Sequence, residues 1–170
     1  MTVPSPSTEA RLAARRPDGR RPRVMFQRWE SLLFLHWECD PAAVAARLPP
    51  GLHVDLFEGK AYVGIVPFRM RGVRPRCLPA VPGLSDFLES NVRTYVHDER
   101  GVPGVWFTSL ECTQPLAVRT ARSFFDLPYL DAGMRERRDG DRIDYRTQRS
   151  GEREEVSCGS ALPGPAEESP

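Results

Sequence analysis

The stretch Phe87-Leu88-Glu89-Ser90-Asn91-Val92-Arg93-Thr94-Tyr95-Val96 constrains the fold of this chain more than any other. It alternates, and successive side chains on a strand point to opposite faces. Glu89, Asn91, Arg93 and Tyr95 therefore share one face, and Ser90, Val92, Thr94 and Val96 the other. The first set lines up an acid, an amide, a guanidinium and a phenol. Such a row can hydrogen-bond internally, hold a small polar ligand, or do both. The same pattern also fits a solvated sheet face crossed by a Glu89–Arg93 diagonal. The expected arrangement points the four polar residues into a curved sheet, with Val92 and Val96 packed outward beneath a helix or loop.

A chain of 170 residues fits one domain with a sizeable core. Its net charge of +1 argues against a dedicated nucleic-acid binder. The charge is uneven, with seven arginines in residues 1–28 and five acids in 151–170. A basic, Pro-rich stretch at 1–26 and a polar tail at 151–170 are expected to lack order. The head also fits a weak electrostatic contact with RNA or anionic lipid. Arg11 to Arg23 is followed by no unbroken apolar run, so neither a secretory signal nor a membrane span is expected. The four cysteines, Cys39, Cys77, Cys112 and Cys158, are far apart and fit reduced thiols in a cytoplasmic protein. His36, His53 and His97 share no ligand spacing, so no metal and no other cofactor is expected.

Between the ends, Leu32–Trp37 reads as a strand buried on both faces. Asp40-Pro41 caps and opens a short helix at 42–48. Leu52–Phe57 and Ala61–Met70 read as a hairpin closed at 58–60, and 71–86 as a long loop. A strand at 105–110 should follow the 87–96 strand. A helix at 115–126 comes next, with Ala117, Ala121, Phe124 and Phe125 on its core side. Tyr129–Arg138 and Arg142–Arg149 form a hairpin around Asp139-Gly140.

No nucleophile elbow, phosphate loop or dinucleotide fingerprint is present. His36 sits among apolar residues and reads as a satisfied buried histidine rather than a base. Lys60, the one lysine, lies in a predicted turn, where no desolvation makes it neutral enough to form an imine. Arg122 precedes Phe124-Phe125 on the helix. It either reaches solvent or offers a fixed fork to a carboxylate.

Six segments together resemble the bacterial YqjF-like family, a domain of unknown function (DUF2071), over roughly 27–150. They are W-x-x-L-L-F-L-H-W at 29–37, L-P-P-G-L at 48–52, G-K-A-Y-V-G-I-V-P-F at 59–68, E-S-N-V-R-T-Y-V at 89–96, P-G-V-W-F-T-S-L at 103–110 and F-x-L-P-Y at 125–129. That family is similar to acetoacetate decarboxylase. The resemblance implies a mainly β (α+β) fold: an antiparallel β-barrel with a few short helices and an interior cavity. It also implies that Glu89 faces the cavity and that Arg122 stands before the active-site turn. Acetoacetate decarboxylases carry two adjacent lysines after the Pro of that turn, the first forming a Schiff base. Here the corresponding residues are Tyr129-Leu130, so no imine and no Schiff-base decarboxylation is expected. Members of the family run well past residue 150, so the barrel is expected to be incomplete, with its exposed edge near 142–149 and a homodimer as one remedy.

Three functions fit these residues. The first is a protein binding a small organic acid or carbonyl compound through Glu89, Asn91, Arg93 and Tyr95, with Arg122 and Tyr129 at the rim. The second is an enzyme acting non-covalently on a carbonyl or keto-acid substrate, with Glu89 as acid or base. The third is a truncated copy without function.

Overall fold

The computed structural model describes residues 5–14 and 24–161, and the chain is mostly β. Its helices are α1 (Thr8–Ala14), α2 (Pro41–Ala45) and α3 (Pro115–Phe125). Its strands are β1 (Met25–Glu30), β2 (Leu35–Cys39), β3 (Leu52–Val54), β4 (Ala61–Pro75), β5 (Phe87–Asp98), β6 (Pro103–Cys112), β7 (Tyr129–Asp139), β8 (Arg142–Arg149) and β9 (Glu155–Ala161). They hydrogen-bond in the order β1-β4-β5-β6-β7-β8-β9, with β2 also on β4 and β3 also on β5. Among the described residues this path stays open and does not close into a barrel, where a barrel incomplete at its C-terminal end was expected. The antiparallel expectation fails at β6 and β7, which pair in parallel with Leu110 opposite Tyr129 and Cys112 opposite Asp131. The cause is α3: a helical crossover returns the chain in the same direction, where a tight turn would reverse it.

By contacts the chain divides into two compact units. Of the described residues, the first takes in those up to Val24, Phe34–Ile65 and Asn91–Ser109, and the second Met25–Leu33, Val66–Ser90 and those from Leu110 on.

In the first unit β2 lies antiparallel to β4, with His36 opposite Gly64, and β3 pairs with the end of β5. The Asp40 side chain accepts from Ala42 N–H at 3.0 Å ahead of Pro41, so α2 starts where its cap predicts. Two expectations fail. The strand near residue 32 begins instead at Leu35, and it is not buried: Phe34 is 56% and Trp37 50% exposed. An apolar run reports a preference for burial, but what packs on it is decided elsewhere in the chain. The hairpin turn at 57–60 does form, with Phe57 and Lys60 exchanging two 3.0 Å backbone hydrogen bonds. Its arms then part, β3 to β5 and β4 to β2, because a closed turn does not commit the residues beyond it. The head expected to lack order contributes α1, and Arg11 forks onto Asp55 at 2.6 and 3.1 Å. That bidentate pair supplies a cation to a carboxylate only 9% exposed.

In the second unit β7 and β8 form the predicted hairpin, from Ala132 opposite Arg149 to Asp139 opposite Arg142. The tail, expected to lack order, supplies β9, paired along β8 from Gln148–Glu155 to Arg142–Ala161. β8 therefore has a neighbour on each side and is not the edge. The larger core joins Val66, Phe68, Met70, Phe87, Cys112 and Val118, and a smaller one joins Leu88, Ile143 and Tyr145. Each such side chain stabilises by about 1.5–3 kcal/mol when fully buried. α3 turns Ala117 and the fully buried Val118 onto the larger core while Arg119 and Arg122 stay exposed. The side chains of Phe124 and Phe125 lie outside the described residues. The predicted long loop is shortened by the extension of β4 to Pro75 and is tied at its neck. Asp86 accepts from Gly72 N–H at 2.8 Å and from Arg71 at 3.1 Å.

Candidate functional site

The second unit buries a carboxyl that, among the described residues, has no cation partner. Glu89, near the start of β5, is 4% exposed. Tyr129, the first residue of β7, donates its hydroxyl to Glu89 Oε2 at 2.9 Å. Tyr129 is in place because α3 ends on Asp126 in the left-handed conformation (φ 51°) and the parallel register sets Tyr129 opposite Leu110. Arg122 fixes the same point from the helix, donating through Nε to the Tyr129 carbonyl at 2.6 Å. Burial pushes the Glu89 carboxyl up to about 7, the Tyr129 hydrogen bond opposes that rise, and the charge of Glu111 adds to it. The Tyr129 phenol is pushed up in turn, by its own burial first and then by Glu89.

The neighbouring acid is treated differently. Glu111, 3% exposed, accepts from Arg149 Nε at 2.8 Å, with Nη2 at 2.6 Å. Beside it the Cys112 thiol is pushed up to about 12 by burial, against a hydrogen bond from Gln114 N–H. Such a thiol stays protonated and unreactive.

The first unit holds a different polar group. His36 Nε2 and Tyr95 Oη are hydrogen-bonded at 2.7 Å, and their rings stack with centroids 5.7 Å apart. The opposite residue has to be glycine, since a Cβ on Gly64 would stand 2.9 Å from the His36 ring. The Arg93 guanidinium lies 5.3 Å over the Phe34 ring, which stacks on His36 in turn. Partial burial of the imidazole, and then the Arg93 charge, lower the His36 pKa and keep it neutral. Asn91 is buried, and among the described residues its Oδ1 and Arg93 Nε have no hydrogen-bond partner. No three described His, Cys, Asp or Glu residues gather as metal ligands, and no described helix is long and apolar enough to cross a membrane.

A family profile for an uncharacterized conserved protein, DUF2071, matches residues 26–170. The chain belongs to the DUF2071 family. It is 41% identical over 131 residues to the uncharacterized protein YqjF of Bacillus subtilis (strain 168), covering 77% of this chain and 54% of that one. The chain thus spans about half the length of that curated relative. Its fold is similar to that of acetoacetate decarboxylase from Legionella pneumophila, at TM-score 0.57 and 18% identity over 87% of this chain and 56% of that one. It is also similar to the enduracididine biosynthesis enzyme MppR, at TM-score 0.65 and 16% identity over 88% of this chain and 60% of that one. At such identities the likeness is one of fold.

Within this DUF2071 chain the residues singled out from the sequence fall into two groups. Glu89, Tyr129 and Arg122 meet in the second unit. Asn91, Arg93 and Tyr95 belong to the first, where Tyr95 meets His36. The solvated-face alternative does not survive, because Phe87–Asn91 are all buried. Arg122 is exposed and spends its Nε on a backbone carbonyl. His36 is exposed on its strand and pairs with a site residue, where burial in the core was expected. Glu111 and Arg149 were missed. An acid between Leu110 and Cys112 in an apolar strand was the available signal for the first; none marked its partner.

Proposed function

We propose that this DUF2071 chain takes a small carbonyl compound or keto acid and that Glu89 acts on it as a general acid and base without a covalent intermediate. One observation carries the reading: a buried carboxyl whose described partner is a phenol and which titrates at about 7. Near neutrality such a group is present in both forms, so it can take a proton from carbon and return it to oxygen. The chemistry of the fold's relatives supports the substrate class, since one is an acetoacetate decarboxylase and another was solved with pyruvate. Tyr129 and Leu130, where the resemblance would place two lysines, cannot form an imine. Lys60, exposed and 2.8 Å from Glu38, has its pKa raised by that hydrogen bond and then by the Glu38 charge.

The test is deuterium exchange at the α-carbons of pyruvate and acetoacetate in heavy water, followed by proton NMR. Exchange above the buffer rate, reduced roughly 10²- to 10⁴-fold in Glu89→Gln, is the expected result. Full exchange in that variant removes Glu89 from the reaction. Binding without exchange in the unaltered chain returns the protein to a binding role. Borohydride reduction in the presence of either ketone should leave Lys60 unmodified.

A further inference from the structure

The polar group of the first unit is not used by the chemistry proposed for Glu89. Asn91 and Arg93 stand two residues apart on β5, on one face and about 6.6 Å apart along the strand. Asn91 is 5% exposed, and neither its Oδ1 nor Arg93 Nε has a hydrogen-bond partner among the described residues. One atom accepts a hydrogen and the other donates one. Buried polar atoms in folded proteins are almost always partnered. Two complementary ones on one face therefore call for a group carrying both an acceptor and a donor. The surroundings narrow that group. The Arg93 guanidinium lies over the Phe34 ring, and among the described residues no carboxylate pairs with it, so its positive charge favours an anion. The His36–Tyr95 pair extends the polar surface on the same strand face without adding charge.

We propose that Asn91 and Arg93, flanked by His36 and Tyr95, form a binding site for a short hydroxycarboxylate. The carboxylate accepts from Arg93 Nε–H, and the hydroxyl donates to Asn91 Oδ1. A simple carboxylate satisfies only the arginine, and a carboxamide satisfies both atoms but leaves the charge unanswered. The site therefore discriminates on two features at once.

Equilibrium binding of glycolate, acetate and acetamide to the full chain, by calorimetry or ligand-observed NMR, tests this, with 3-hydroxybutyrate against butyrate as the longer pair. Glycolate should bind about tenfold tighter than acetate, the worth of one hydrogen bond to an otherwise unpartnered acceptor. Acetamide should be weaker than glycolate. Arg93→Gln should abolish glycolate binding, and Asn91→Leu should make glycolate and acetate equal. Equal affinity of glycolate and acetate for the unaltered chain, or no binding of either, would mean that water satisfies both atoms and would overturn the proposal. Acetamide binding as well as glycolate would overturn the anion requirement. Because the comparison of ligands is made on the unaltered chain, misfolding of a variant does not decide it. The readout is binding, so failure here leaves the exchange reaction of Glu89 standing.

Discussion

Tyr129 in the second unit and Tyr95 in the first each hold one titratable partner, Glu89 at 2.9 Å and His36 at 2.7 Å. Loss of water favours the neutral form in both, yet the shifts run in opposite directions. The acid is raised and the base is lowered. The placement of cations accounts for the rest. In the second unit Arg149 goes to Glu111 and leaves Glu89 with a phenol. In the first, Arg93 stands close enough to repel a proton from His36. Burial alone thus makes a group neutral, and the nearest guanidinium decides how far. A carboxyl poised near 7 is suited to moving protons, whereas a neutral imidazole beside a cation is suited to holding an anion.

The largest expected effect separates the two units by pH. Glu89 has its folded pKa raised from 4.5 to about 7, so the folded chain holds a proton that the unfolded chain has lost. Its contribution is fully present below 4.5 and is lost as pH rises to about 7, amounting to about 3 kcal/mol. Urea melts across that range should show stability falling with pH, and Glu89→Gln should flatten the slope. A slope unchanged in that variant would assign the effect to other groups. His36 has the opposite sign: its pKa lies below 6.5, so its contribution is present above 6.5 and is lost as the medium acidifies.

A smaller effect comes from removing the phenol. Tyr129→Phe should cost about 1 kcal/mol, more at pH 8 than at pH 5, because the ionised carboxylate then loses its donor. The Glu89 titration should move further up, since the Tyr129 hydrogen bond now holds it down. A downward move would mean that Tyr129 serves only to bury the acid. The smallest effect belongs to the first unit. Arg93→Gln should bring the His36 imidazole resonances back toward a midpoint of 6.5 in an NMR titration, while the melting temperature hardly changes. An unmoved midpoint would leave burial as the sole cause there.

Much of this was legible in the chain because its signals are local. Asp40-Pro41 marks a helix start, Asp139-Gly140 marks a hairpin, and Pro115 to Asp126 carries its own beginning and end. Alternation at 87–96 marked the strand that carries Glu89 and Asn91. What stayed hidden is pairing at a distance. Nothing in Leu52–Val54 says that it joins β5 rather than β4, and nothing in Glu155–Ala161 announces β8 as its neighbour. A polar tail still makes a strand when a partner edge supplies every second backbone hydrogen bond. The site was divided for the same reason. Glu89, Asn91, Arg93 and Tyr95 follow one rule of alternation, but their partners Tyr129 and His36 come from separate elements.

The acid–base role of Glu89 rests on its carboxyl being present in both neutral and ionised forms near neutrality. Carbon-13 labelling of the glutamate carboxyls and an NMR titration from pH 3 to 9, with Glu89→Gln to assign the signal, measures this directly. The expected Glu89 midpoint is about 7. A midpoint at or below 4.5, the value of an ordinary glutamate, would contradict it and would remove the basis for acid–base chemistry at this position.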